Sequence, residues 1–68
     1  MTQKELLYLE DAIGHEKNTI DIINESINML EDEDLISFME KEVKKHEKTK
    51  KDLIDMMEVK CNGWVNNE

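Results

Sequence analysis

The sequence predicts an all-α protein, an antiparallel helical hairpin that pairs in a homodimer to form a four-helix bundle. Three features predict it. Apolar residues recur at steps of three and four through two stretches, the spacing of a single helix face. The 68 residues include no proline and only two glycines, so little interrupts either stretch. A chain this short, with Cys61 as its one cysteine, has no internal disulfide and too little mass to cover two apolar stripes alone. A second copy then takes the place of the staple.

The first helix is expected over about residues 3–31 as a single seam of Leu6, Leu9, Ile13, Glu16, Ile20, Ile23, Ile27 and Leu30. Thr2 followed by Glu5 is a capping box, in which hydroxyl and carboxylate each satisfy an amide left open at a helix start. Gly14 lies inside this helix at a cost of about 1 kcal/mol relative to alanine. Close packing, a local bulge and no role at all are equally compatible with it.

A turn is expected at about 31–34, and its place follows from phase. Continuing the first seam as one long helix would carry Asp34, Ser37 and Lys41 inward, all polar. The apolar pattern instead restarts at Leu35 and Ile36, and Asp32 or Asp34 can cap the helix that begins there. The second helix is expected over about 34–61, with Ile36, Met39, Val43, His46, Lys50, Leu53 and Met57 as its seam. Leu35, Glu42, Thr49, Ile54 and Met56 broaden that face. Asn62-Gly63 is expected to stop it by a left-handed cap, leaving a tail of 62–68 in which Trp64 folds back as a packing lid. Cys61 reads as an inert small apolar residue. The expected core is Leu6, Leu9, Ile13, Ile20, Ile23, Ile27, Leu30, Met39, Val43, Leu53 and Met57. A short connection makes the two helices antiparallel neighbours within one domain spanning 1–68.

The formal charge of −8 is uneven. Residues 1–34 hold ten acids and two lysines, whereas residues 35–68 hold seven of each. All nine basic residues are lysine, and six fall in EKEVKKHEKTKKD with acids interleaved. Nucleic acid calls for a net basic face, usually with arginine, so this stretch reads as a solvated helix face. The same acidity argues against membrane-surface binding, and no apolar run is long enough to span a bilayer. A reduced, cytoplasmic setting is the expectation.

The triplet His-Glu-Lys occurs twice, in HEKNTIDII from residue 15 and HEKTKKDLI from residue 46. The triplets are 31 residues apart, but the two apolar seams superpose at an offset of 30, Leu6 on Ile36 and Ile13 on Val43. One residue is about 100° of helix rotation, so the triplets turn different faces inward. They are not a duplicated site, and Lys17 and Lys48 read as solvated. Under the packing offset Glu16 and His46 are equivalents, each interrupting its seam near mid-helix, with His15 at the surface. A turn centred at 32–33 sets Glu16 opposite Thr49, one turn from His46. Such a pair can fix register by a hydrogen bond, as polar groups in a helical seam do. Alternatively Glu16 and His46, with Glu42, are metal ligands for iron, manganese or zinc. No nucleophile or oxyanion donor can be named, so no catalytic residues are assigned.

The run Asp34-Leu35-Ile36-Ser37-Phe38-Met39, then Glu42, His46 and Leu53-Ile54-Asp55-Met56-Met57, closing on Gly63-Trp64, resembles the second helix and tail of the spore coat protein F-like group. That group lies in the ferritin-like superfamily. The resemblance covers the second helix and, in the first, only the pattern. It implies a ferritin-like bundle built from two half-length hairpins. The superfamily's metal motif is a glutamate on the first helix and Glu-x-x-His on the second. Glu16 matches the first part. For the second, His46 stands where the glutamate belongs and Thr49 where the histidine belongs; taking His46 as the histidine leaves Val43 for the glutamate. Either alignment loses a ligand, so no ferroxidase, catalase or storage activity is carried over.

The expected function is therefore non-enzymatic and without cofactor: a small structural or assembly protein resembling spore coat proteins, spore-associated or cytoplasmic. Its expected partners are a second copy, a dimer being favoured, and other structural proteins. One alternative is a metal-binding ferritin-like module with a Glu/His site at the bundle centre. Another is an acidic helical module that binds a basic partner.

Overall fold

A computed structural model describes the backbone of residues 1–66 and the side chains of residues 1–61. Two helices account for its regular structure, α1 over Gln3–Ile27 and α2 over Glu33–Asn66, packed against each other as a hairpin. No strand occurs among the described residues. The hairpin is a rod with principal extents of 54 × 16 × 11 Å.

Both helix starts follow their local chemistry. The Thr2 amide donates to Glu5 Oε1 at 2.8 Å, and the Glu5 amide donates to Thr2 Oγ1 at 3.0 Å. The Thr2 amide and then its hydroxyl hold the Glu5 carboxyl below the ordinary glutamate value, because both favour the ionised acceptor. Asp32 caps α2 by accepting the Leu35 amide on Oδ1 at 2.9 Å. Of the two expected caps, Asp32 is the one used.

Both helix ends differ from the expectation. α1 stops at Ile27, four residues before 31, and the connection occupies 28–32 rather than 31–34. Its last turn tightens: the Met29 amide reaches the Ser26 carbonyl at 2.9 Å and the Leu30 amide reaches the Ile27 carbonyl at 3.2 Å. Such three-residue bonds satisfy end carbonyls without further helix. The apolar phase through Leu30 persists beyond the helix because Leu30 still folds inward, half-buried. α2 runs through Asn62 and Gly63 to Asn66, so the expected cap and the tail from 62 are corrected. No glycine takes a positive φ among the described residues. A glycine without that geometry weakens a helix but does not end it. The expected Trp64 lid falls outside the described side chains.

The seams fall where the periodicity sets them. Leu6, Leu9, Ile13, Glu16, Ile20, Ile23 and Ile27 of α1 are half-buried, as are Ile36, Met39, His46, Lys50, Leu53 and Met57 of α2. Burial beyond that is rare. Val43, 7% exposed, is the one fully buried residue among those described. Two helices touch along one line, and residues on that line keep one flank open to water.

Gly14 is now readable. It is exposed, and a Cβ built on it meets nothing within 4 Å, so close packing is not its role. Gly14→Ala is expected to raise stability by about 1 kcal/mol through helix propensity alone. A rise in the urea midpoint at unchanged slope is the readout; a fall would show that the glycine backbone is needed.

Candidate functional site

The middle of the hairpin holds its one polar side-chain link between helices among the described residues. His46 Nδ1 lies 2.5 Å from Glu16 Oε2, and His46 Nε2 lies 4.0 Å from Glu42 Oε2, one turn earlier on α2. The side chains are 31% exposed for His46, 21% for Glu16 and 30% for Glu42. Each is shielded by the neighbouring helix but still reaches water at its tip. Glu16 and His46 are in the seams because three- and four-residue steps put them there; Glu42 is on the flank, brought to His46 by the i,i+4 spacing.

Glu16 therefore meets His46 directly, not Thr49 as a turn centred at 32–33 would have it. The physical cause is the early end of α1. A connection over 28–32 moves the centre of the hairpin back, and every pairing across it slides by about one helical turn. The two nearby threonines are absorbed locally: Thr49 Oγ1 donates to the Lys45 carbonyl at 3.1 Å and Thr19 Oγ1 to the His15 carbonyl at 2.8 Å. His15 is exposed, as expected.

An ionised carboxylate only accepts hydrogen bonds, so the geometry places a proton on His46 Nδ1, donated to Glu16. In the neutral ring Nε2 then presents a lone pair toward Glu42. That edge is suited to a water or a cation, either of which would relieve the opposition of two acceptors. The three residues expected as ligands are thus gathered at one level, with His46 central. Within one chain, no group of three His, Cys, Asp or Glu is arranged to hold a metal ion among the described residues. The Glu-x-x-His set of the superfamily does not fit here, since Val43, where its glutamate would stand, is buried and apolar.

Apart from Lys50, half-buried in the α2 seam, the remaining lysines lie at the surface. Lys17, Lys44, Lys45, Lys48 and Lys51 are exposed; Lys48 Nζ pairs with Asp52 at 2.8 Å and Lys51 Nζ with Asp55 at 2.7 Å. The Lys48 bond holds the Asp52 carboxyl below its usual value, and Asp55 raises the Lys51 ammonium. Pairs this open contribute little to stability. Cys61 is half-buried with a free thiol. No helix among the described residues is long and apolar enough to cross a membrane.

The seam reading leaves out Tyr8 and Ile22, both exposed, and Phe38 enters it only through a family resemblance. Their signal was present, because they continue rows at helical spacing beside the seams. A one-line seam count excludes such rows by construction. Compared with known proteins, the chain matches no family model, no curated protein and no solved structure.

If the His46–Glu16 bond is a register device, the pair couples by about 1 kcal/mol, between a surface and a buried ion pair. Glu16→Leu or His46→Leu alone is expected to lower stability, and the double variant to recover it. A double-mutant cycle in urea reads this coupling; additive single effects would show that the contact does not hold the helices.

Proposed function

We propose that this protein is a non-enzymatic structural or assembly module whose hairpin pairs with a second copy to complete a four-helix bundle. One observation carries the reading: of two full-length apolar seams, only Val43 is fully buried within a single chain. The remaining seam residues are half open to water, and removing apolar area from water is the main force available to a helical protein of this size. A second hairpin laid across the seams supplies the missing cover. The residues Asp34 to Met39, Glu42, His46 and Leu53 to Met57, which resemble a spore coat group of the ferritin-like superfamily, agree with a structural role and a ferritin-like bundle.

A metal-binding module is the second reading, and the His46–Glu42 edge favours it. Nε2 and Oε2, 4.0 Å apart, would close to about 3.3 Å to hold a tetrahedral zinc at about 2 Å from each. One chain supplies two such donors and a two-fold copy would supply two more. Glu16 would then act by orienting the imidazole through Nδ1.

Because a dimer's stability depends on concentration, serial dilution is expected to lower the melting temperature, with sedimentation equilibrium giving twice the chain mass. A monomer mass at high concentration would end the assembly reading. Protein purified without chelators is expected to lack stoichiometric metal by elemental analysis. Stoichiometric zinc, iron or manganese, lost in both Glu42→Ala and His46→Ala, would instead establish the second reading.

A further inference from the structure

The charge of the hairpin changes along its length. Residues 18–40 run through the end of α1, the connection and the start of α2. They hold seven acids, Asp21 the first and Glu40 the last, and no lysine. All seven are exposed, and none belongs to an ion pair among the described residues. Residues 1–17 and 41–61 hold nine lysines and nine acids. The turn end of the rod therefore carries a formal charge of −7, and the rest of the described side chains balance.

One chain does not neutralise its own turn. The lysines of α2 begin at Lys41, about 12 Å along the helix from Glu33. In α1 the nearest is Lys17, about 16 Å from the connection. Exposed charges are screened within about 8 Å at physiological salt, so each end of the rod acts through its own charges.

A rod can receive an equal rod in two ways, turns together or turns at opposite ends. Apolar cover is available in both, because the seams run the length of the hairpin. Charge is what separates them. With turns together, seven acids meet seven with no cation among them, and like charges set against one another across an interface are unfavourable. With turns opposed, each turn lies along the partner's open end, where residues 1–8 and 54–61 carry two lysines against three acids. The strongest repulsion available to the pair is then absent. Reversing one rod has no cost at the polar level either. Glu16 is one residue from the midpoint of α1, so its contact with His46 still meets its own copy when a rod is turned end for end.

We infer that two copies pair with their turns at opposite ends, the acidic turn of each lying along the open end of the other. This rests on the self-association proposed above and adds the relative direction of the two chains.

Spin-label distances read that direction. In a Cys61→Ser background, Met29→Cys, at a site 77% exposed in the connection, is labelled and its separation across the dimer measured by dipolar EPR, with mass followed by sedimentation. Turns at opposite ends set the two labels roughly 40 Å apart, the rise of about 27 residues. Turns together set them within about 25 Å, two helix diameters. The long distance is expected. Asp21→Asn, Glu25→Gln and Glu40→Gln in combination are expected to bring the short distance in beside it. A short distance before those replacements, in a protein that still dimerises, overturns the direction and leaves self-association standing. A single long distance after them overturns charge as its cause. A protein that stays monomeric at every concentration overturns self-association and its direction together.

Discussion

Two helices can face each other along only one line. Everything else in this hairpin depends on that constraint. Each helix carries an apolar stripe wider than a line, so packing one against the other shields the centre of both stripes and leaves their edges wet. Among the described residues Val43 alone is enclosed. The fold is thus well determined in its elements and thin in its core.

Within that frame the Glu16–His46 contact performs a task the apolar residues cannot. Leucine, isoleucine and methionine tolerate sliding, because any apolar neighbour of similar size serves. A carboxylate and an imidazole on opposite helices do not, since displacement by a turn breaks the hydrogen bond between them. The 2.5 Å contact therefore fits one alignment of α1 on α2, the alignment that the connection over 28–32 sets. The position of Glu42 beside His46 belongs to the same alignment.

Apart from Glu16, His46 and Lys50 in the seams, charge is arranged around this core. α1 carries six acids against two lysines, and α2 eight against seven. The ion pairs of Lys48 with Asp52 and Lys51 with Asp55 lie within α2 and are open to water, so they support the helix locally and leave the packing to the seams.

The sequence by itself determined what repeats along the chain. Helical spacing identified both seams, the Thr2–Glu5 box identified the first start, the change of phase required a turn, and mid-helix polarity singled out Glu16 and His46. These are properties of neighbours three or four residues apart, and local geometry settles them. Where α1 ends was not among them, since Leu30 keeps the apolar phase after the helix has stopped and nothing in composition separates a last helical turn from a tightened one. Gly63 was misjudged for a related reason: glycine permits a cap without enforcing it. The tertiary structure decided the register, because moving the connection to 28–32 shifts all pairings across the hairpin by about a turn. It likewise decided that Glu16 touches His46 rather than facing Thr49. Those relations join residues thirty or more positions apart, and only packing two rods together specifies them.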